Sequence, residues 1–403
     1  MEKDDEFLHT FFSNISQLCF DKAKENIEKE REIHRSSPLS PWMSFLNFLQ
    51  HFSLSEKSYI DIGFLQTKNK GFLRKDNSLR AVYENMKVDL RRLEESFRLN
   101  NKRVQNYCQN IFQFLCARLS LMELYEKIYQ MGLGKHLRYI ELLNQAETII
   151  QQNALCFTDI SLTPVKATFN LECEILQQLF KALIELQRLQ FLPSLALIQG
   201  AHARLTAWEG KMQNRESWKL GFLKNNPLPA LFQWLQKLKG IILSKYSLYF
   251  HNILAQQTTP NDMRGICAKL QHDHYQKMVT FQKKHDAAYV ILLSDNQVVS
   301  ADYDSFPIIV SYPPKSPPQL ETIMRMISDT VSELLIVDKV IYKFSTQDLC
   351  TYVITTVEPN IYLVIIFESK KSEKDSFIDN FISEMCTNLR CTKVFTSLKY
   401  TSK

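Results

Sequence analysis

The chain has 403 residues, of which 45% are hydrophobic and 23% are charged, which is typical of a globular protein with two or three domains. The formal net charge of +6 is small for this length, and acidic and basic residues are interspersed along most of it, which argues against dedicated nucleic-acid binding. The acidic start MEKDDEFLHTFF has no signal-peptide pattern, and no apolar run approaches the roughly 18 residues of a membrane span. We therefore expect a soluble, cytoplasmic protein.

Apolar residues recur at helical spacing from residue 5 to about residue 286, with Gly, Pro or Asn clusters at the breaks. Phe191-Leu192-Pro193-Ser194 should divide one long segment in two, because proline cannot donate to the helix ladder. In the last long helix Lys237, Lys239 and Lys245 fall off the apolar stripe, which predicts an exposed face for them. The predicted helices span residues 6–34, 41–67, 77–98, 102–131, 137–153, 164–191, 194–213 and 228–257.

After Asp286 the spacing changes to that of short strands. The predicted elements are a helix at 274–286, strands at 288–294 and 306–312, a helix at 317–333 capped by Ser316, strands at 339–344, 350–357 and 361–367, and a final helix. The sequence therefore predicts the α+β class. We expect an all-helical bundle over residues 1–270, followed over residues 271–403 by a five-stranded, largely antiparallel sheet with flanking helices.

Strand composition also predicts the order of the sheet. The first and last strands are apolar at almost every position, as in central strands that are covered on both faces. The second strand carries Pro307 and the third carries Lys339 and Lys343, which suit edge strands. The predicted order is 2-1-5-4-3, with both edges available for pairing. This succession of elements resembles the roadblock/longin fold, whose members bind small GTPases and assemble larger complexes.

The polar turn Glu368-Ser369-Lys370-Lys371-Ser372 follows an apolar strand, as many phosphate-binding loops do. It contains no glycine, although a phosphate cradle needs glycines to point successive backbone N–H groups at the anion. Ser372, followed three residues later by Asp375 and then by an apolar series, instead predicts a capped helix N-terminus. Lys370 and Lys371 then form a solvated rim.

Little in the sequence indicates a chemical site. Cys267, His272, His274 and His285 cluster, but the spacing C-x4-H-x-H fits no standard structural zinc site, and the alternative is histidines at helix ends. G-x-S-x-G, G-K-[ST] and H-E-x-x-H are absent, and nine glycines are few for cofactor loops. We predict no catalytic residue, cofactor, metal or small-molecule substrate. Nine scattered cysteines without a C-x-x-C pair predict reduced, buried thiols.

Basic residues are the candidates for partner contacts. One group clusters after the second predicted long helix and could meet an acidic partner or an anionic membrane surface, although a solvated turn explains the same charges. The others lie on the third strand and on the turn after the fifth. The candidates are Lys68, Lys70, Arg74, Lys75, Lys339, Lys343, Lys370 and Lys371.

Six stretches resemble one family in the same order along the chain. They are FDKAKENIEKERE (20–32), FLRKDNSLRAVY (72–83), FLPSLALIQGAHARLTAW (191–208), LFQWLQKLKGIILSKYSLYFHNILAQQTT (231–259), IIFESKKSEKDS (365–376) and KVFTSLK (393–399). They resemble the helical-plus-roadblock subunit family of KICSTOR, the lysosomal scaffold in nutrient signalling. The resemblance implies a non-catalytic subunit whose partners are other KICSTOR subunits and GATOR, the GTPase-activating complex for the Rag GTPases.

The same resemblance implies recruitment from the cytoplasm to the lysosomal surface through partners, where the complex silences the target-of-rapamycin kinase during amino-acid or glucose shortage. The chain departs from the family in a short connection from Asp295 to Ser305 and in beginning almost directly at its first helix. The alternative function is a regulatory module that acts directly on a small GTPase. An exposed acid or asparagine loop that could disturb nucleotide and magnesium would favour it, and we identify none.

Overall fold

The computed structural model describes residues 3–35, 40–65, 78–97, 102–135, 138–213, 228–295 and 308–399. The first part is a bundle of amphipathic helices, as the apolar spacing predicts. These helices are α1 (Lys3–Ser16), α2 (Phe20–Ile33), α3 (Pro41–Ile60), α4 (Leu79–Phe97), α5 (Lys102–Gly134), α6 (Tyr139–Asn153), α7 (Thr163–Gln187), α8 (Phe191–Gln213), α9 (Ala230–Tyr249), α10 (His251–Gln257), α11 (Pro260–Cys267) and α12 (His274–His285). Within the described ranges, no helix combines the length and apolar character needed to cross a bilayer.

Several predicted helix boundaries are wrong. The predicted helix 6–34 is broken between α1 and α2, where Leu18 has a φ of 59° and buries its side chain. The break before α8 occurs at Leu189, whose φ is 56°, whereas Pro193 lies in the first turn of α8. Proline is tolerated there because the first N–H groups of a helix have no intrahelical acceptor. The predicted helix 228–257 is likewise divided at Phe250.

The second part contains the predicted sheet. Its strands are β1 (Tyr289–Ser294), β2 (Ile308–Tyr312), β3 (Val340–Ser345), β4 (Cys350–Glu358) and β5 (Ile361–Phe367), and its helices are α13 (Leu320–Asp329), α14 (Val331–Leu334), α15 (Ser376–Leu389) and α16 (Thr392–Thr396). The strands pair antiparallel in the order β2-β1-β5-β4-β3, which confirms the predicted order and the α+β class. Every residue of β1 and β5 is buried, as expected of central strands.

Two predicted helix caps differ from the structure. Ser316 does not cap a helix, because α13 begins at Leu320 and its N-cap residue is Gln319. The final helix begins later than Ser372 suggests: Asp375 is the N-cap of α15 and accepts a hydrogen bond from the backbone N–H of Phe377 at 3.0 Å. The interpretation of this stretch as a strand end followed by a capped helix is therefore confirmed, with a different cap residue.

The two faces of the sheet belong to different hydrophobic clusters. Alternate residues such as Leu292 and Leu363 join the core of the helical bundle, whereas their neighbours Ile291 and Val364 pack with α13 and α14. The division of the chain at residue 270 stays a prediction. One continuous cluster nevertheless includes side chains from both sides of that division.

Helix α16 follows the sheet in the chain but packs into the bundle, between α5 and α9. Phe395 is fully buried there, and the indole N–H of Trp234 donates to the carbonyl of Val394 at 2.8 Å. A Cβ atom on Gly132 of α5 would lie 2.9 Å from the Cβ of Phe395, closer than side chains tolerate. The close approach of these two helices therefore requires glycine at position 132.

Candidate functional site

A cleft of about 510 Å³ opens where the bundle meets the sheet. Three segments form its walls: the start of α6, the turn between β4 and β5, and the chain from α14 to β3. We call Val331, Leu335 and Ile336 the lip; they border the cleft and are exposed. Tyr139 and Glu358 are buried beside it. A cleft at such a junction, with an apolar rim and a few polar groups, is a common place for a ligand or a partner side chain.

A buried ion pair lies at the base of this cleft. Lys245 Nζ of α9 lies 2.6 Å from Oε1 of Glu358, at the end of β4, and the two side chains are 0% and 2% exposed. Tyr249 donates to Oε2 of Glu358 at 2.9 Å, and Tyr139 and Gln187 donate to Oε1 at 3.2 and 3.4 Å. Burial, and then the charge of Glu358, raise the pKa of both tyrosines well above the usual value, so the hydroxyls remain donors.

The prediction that Lys245 faces solvent is therefore wrong. A lysine that falls beside the apolar stripe of a helix is exposed in most proteins, because a buried ammonium group needs a charged partner. Here the partner comes from a strand more than a hundred residues later in the chain. No short stretch of sequence contains both members of the pair.

Arg390 and Asp338 stabilise the wall of the cleft that is formed by the segment from α14 to β3. Arg390 donates from Nε to the carbonyl of Val357 at 2.6 Å and from Nη1 to Oδ1 of Asp338 at 2.5 Å. Lys135, just after α5, binds Oδ2 of Asp338 at 2.5 Å. Burial opposes ionisation of Asp338, yet the hydrogen bonds from Lys135 and Arg390 lower its pKa below the usual value. The segment that leads into β3 is thus held to the bundle by charge.

These contacts indicate what the cleft can do. Both carboxylate oxygens of Glu358 accept hydrogen bonds from protein donors, and Arg390 binds backbone carbonyls and Asp338. Their polar atoms are therefore committed to holding the two parts of the protein together. The lip, by contrast, presents apolar surface to solvent. The arrangement is suited to binding an apolar partner side chain against a rigid wall.

The structure brings three of the predicted contact lysines to one end of the sheet. Lys343 lies near the end of β3. The next residue in that strand is Phe344, and the ammonium group of Lys370 lies 5.9 Å from the centroid of its ring. Lys371 joins them because its backbone N–H donates to Thr351 Oγ1 of β4 at 3.1 Å. Lys343 and Lys371 are partly buried, whereas Lys370 is exposed.

Lys339 is exposed just before the opposite end of β3, between the lip and the strand. The four remaining candidates, Lys68, Lys70, Arg74 and Lys75, lie outside the described residues, as do Pro307 and most of the Asp295–Ser305 connection. Partner contact by any of the eight basic residues stays a prediction.

The outer edge of β3 is the more open of the two sheet edges. β3 pairs with β4 on one side, and in the described part of the chain no strand pairs with its other side. At the opposite edge, Asn252 of α10 donates to the carbonyl of Ile309 in β2 at 3.3 Å. The lip lies just before β3 in the chain, and we call the lip and the free edge of β3 together the lip–edge surface.

Cys267, His272, His274 and His285, the residues with a metal-like appearance, do not form one metal-binding group. The rings of His272 and His274 are 5.6 Å apart, whereas His285 lies at the far end of α12 beside Phe281 and Phe377. Among the described residues, no group of three or more His, Cys, Asp or Glu side chains is placed to hold a metal ion. Burial, and then the charges of His272 and Lys277, lower the pKa of His274 to about 3. His274 and His285 are the first and last residues of α12, as the helix-end alternative predicts.

A second buried charge cluster lies inside the bundle and has no counterpart in the sequence prediction. Arg118 of α5 donates from Nη1 to Glu172 at 2.7 Å and from Nη2 to Glu56 at 3.0 Å. Tyr59 and Tyr83 each donate to one of these carboxylates, at 2.7 and 2.6 Å. The signal available in the sequence is a charged residue within an apolar stretch, such as Arg118 between Leu115 and Leu119.

The cysteines are all free thiols, five of them buried and four partly buried. Burial is the first cause of the raised pKa of the thiols of Cys108 and Cys391, to about 12, and of Cys386, to about 11. A thiol with such a pKa is protonated at neutral pH and is a poor nucleophile. No disulfide joins these cysteines, and the prediction that they are buried holds fully at only some positions.

Comparison with known proteins identifies the family. A family profile described as "KICSTOR complex C12orf66 like" matches residues 1–403. A protein from Danio rerio named KICSTOR subunit 2 is 31% identical over 436 aligned residues, which cover 100% of this chain and 97% of the relative. A protein of the same name from Xenopus laevis is 30% identical over 430 residues, covering 98% of this chain and 96% of the relative. The chain therefore belongs to the KICSTOR C12orf66-like family.

Proposed function

We propose that this protein is a non-catalytic scaffold subunit of a KICSTOR-type complex. In this proposal the complex recruits GATOR to the lysosomal surface, so that the target-of-rapamycin kinase is restrained when amino acids or glucose are scarce. The observation that carries the proposal is the match of the family profile over the full 403 residues, together with relatives that are named as KICSTOR subunits. A subunit of a scaffold complex acts by holding other proteins in place.

The lip–edge surface supports a docking role. Leu335 and Ile336 are 77% and 60% exposed, although both belong to a residue type that is usually buried. The free backbone groups of β3 can pair with an extended segment of a partner, and the apolar lip beside them can bind one of its side chains. Lys339 immediately precedes β3 and Lys343 lies on it, and both would set the charge preference for that segment.

The rigid seating of this surface on the bundle also supports a scaffold. Lys135 and Arg390 bind Asp338, directly before β3, and Lys245 binds the end of β4. A docking surface that is held on both sides fixes the position of its partner relative to the long helices. Such preorganisation lowers the entropic cost of assembly.

Deletion of the gene in cells tests the function. We expect the target-of-rapamycin kinase to remain active during amino-acid starvation, and re-expression of the full chain to restore its silencing. Normal silencing in the deleted cells would contradict the scaffold function. The chain should also elute with KICSTOR and GATOR subunits when native extracts are separated by size. If the chain elutes without these subunits and contacts a small GTPase in a nucleotide-dependent way, the direct regulatory module would be favoured instead.

Point variants then test the surface. Leu335→Asp with Ile336→Asp should weaken co-purification of the partner subunits while leaving the melting temperature nearly unchanged, because both side chains are exposed. Leu155→Asp is the matched control, since Leu155 is 90% exposed and follows the far end of α6. Equal co-purification by both variants would exclude the lip as a docking site without excluding the complex. Truncation before the sheet is unsuitable, because α16 completes the bundle core.

A further inference from the structure

A second groove, of about 540 Å³, lies between α12 and α15, apart from the cleft described above. Its floor is aromatic: the rings of Phe281 and Phe381 are stacked with their centroids 4.0 Å apart. At its mouth Phe377 is 60% exposed and lies 5.2 Å from the ring of His285. Aromatic side chains are usually buried or paired with a partner molecule, so an exposed ring at the mouth of a groove indicates a contact site.

One wall of the groove is strongly basic. Helix α12, with the sequence HYQKMVTFQKKH, contains three lysines, two histidines and no acidic residue. On the opposite wall Glu384 is already paired with Lys277. Asp273, at the start of the groove, caps α12 by accepting a hydrogen bond from the N–H of Gln276 at 2.9 Å. The two acidic side chains that line the groove therefore both have partners within the protein.

Further lysines around the groove form no salt bridge in the described part of the chain, although Lys393 is close enough to Glu384 to help lower its pKa. Lys284 lines the groove, and Lys237 of α9 and Lys393 of α16 lie near its His272 end. The pKa of His272 is lowered, first by burial and then by the charges of Lys277, Lys393 and Lys237, against the opposing effect of Glu384. Three helices thus contribute an excess of positive charge to one groove with an aromatic floor.

We infer that the groove between α12 and α15 binds an acidic segment of a partner protein, which places an apolar side chain against Phe377. The charge of the partner follows from the lysines that form no salt bridge, and the apolar side chain follows from the exposed ring and the stacked floor. A free anion would use the lysines but not the aromatic floor. This inference stands on the groove alone and does not depend on the complex proposed above.

Fluorescence anisotropy with the full chain tests the inference. The probe is a fluorescein-labelled peptide of glutamates around one phenylalanine. We expect saturable binding, and a loss of affinity of roughly tenfold or more when Lys237→Glu and Lys284→Glu are combined, because two attractions become repulsions. The matched control carries Lys24→Glu and Lys29→Glu on α2 and should bind the probe as the unchanged chain does. At about 1 M salt, where the screening length is about 3 Å, binding should also weaken.

Phe377→Ala separates the apolar contact from the charge. Because the ring is largely exposed, this variant should fold normally and should bind the phenylalanine probe more weakly, yet bind a probe with alanine at the central position unchanged. Absence of binding by the acidic probe, equal binding of a lysine-rich probe, or equal loss in the α2 control would overturn the inference. Weakening by charge reversal with no effect of Phe377→Ala would contradict the apolar contact.

Discussion

Lys245 and Glu358 join the helical bundle to the sheet through an ion pair with 2.6 Å between Nζ and Oε1, buried on both sides. Such a pair loses the hydration of two charges, and its mutual attraction does not by itself guarantee a net gain in stability. The pair does favour one position of the sheet on the helical bundle, because any other position leaves two buried charges without partners. Tyr139 and Tyr249 strengthen that requirement, since both donate to the same carboxylate.

Removing one member of this pair should be severely destabilising. For Glu358→Leu we expect the free energy of unfolding to fall by about 3–5 kcal/mol, because Lys245 stays buried without its partner. Lys245→Met combined with Glu358→Leu should recover much of that loss. Urea unfolding measures both. The exposed pair between Lys24 and Glu28 is the control, and Glu28→Gln should cost less than about 1 kcal/mol. A double variant as unstable as Glu358→Leu would contradict this account.

Gly132→Ala should loosen α16 from α5. The new methyl group would lie 2.9 Å from the Cβ of Phe395 and 3.1 Å from the backbone nitrogen of Thr396, so one of the helices must shift. We expect a loss of about 1–3 kcal/mol, as for other overpacked cores. Gly210→Ala in α8 meets no atom within 4 Å and should be neutral or stabilising by up to about 1 kcal/mol. Thermal unfolding monitored by circular dichroism compares the two variants.

His274 should make the protein less stable in acid. It is 1% exposed, and in the described part of the chain neither ring nitrogen has a hydrogen-bond partner. Its pKa is lowered to about 3, first by burial, whereas that of the unfolded chain is about 6.5. Between these values only the unfolded state takes up the proton, so the free energy of unfolding falls as the pH drops.

The variant His274→Leu removes this dependence. Relative to the unchanged chain it should gain about 2 kcal/mol in the free energy of unfolding between about pH 7.5 and about pH 5. Urea unfolding at the two pH values gives the difference directly, and other titrating groups cancel in the comparison. An equal response of both proteins to acid would show that the ring is protonated in the folded state.

Substitutions at different residues of the charge cluster in the bundle should lower the free energy of unfolding by different amounts. Tyr83→Phe removes one donor to Glu56, which still binds Arg118, so we expect a loss of about 1 kcal/mol. Arg118→Met leaves Glu56 and Glu172 close together without a cation and should cost about 3–5 kcal/mol. Chemical denaturation distinguishes these outcomes. Similar losses for the two variants would mean that the carboxylates become protonated when the cation is removed.

The sheet could be predicted in detail because its signals are local. Continuous apolar strands are buried on both faces, and Lys339 and Lys343 indicate an edge, so composition alone orders the strands. The helix breaks at Leu18 and Leu189 could not be predicted, because a left-handed backbone usually carries glycine or asparagine and here carries leucine. Packing of the buried side chain, which no local pattern reports, accounts for the break at Leu18.

The candidate site was less predictable than the fold. The cleft is assembled from residues that are far apart in sequence, such as Tyr139 and Arg390, whose contact spans 251 positions. The sequence predicts that Lys245 is exposed, and only the fold shows that Glu358 lies beside it. The groove between α12 and α15 likewise depends on Phe377 and Lys284 meeting across two helices. Sequence patterns identify the residues of such surfaces but not which of them are in contact in the folded protein.

The packing of α16 against α5 has a consequence for synthesis in the cell. A ribosome that adds about 5–20 residues per second makes Tyr139 on the order of 10–50 seconds before Arg390 and the helix that follows it. During that interval the face of α5 that will receive Phe395 awaits its partner, and once residue 234 has been made the indole N–H of Trp234 does so too. Until α16 is made, the helical part therefore lacks the side chains that complete its core, and the uncovered apolar surface is a site for premature association.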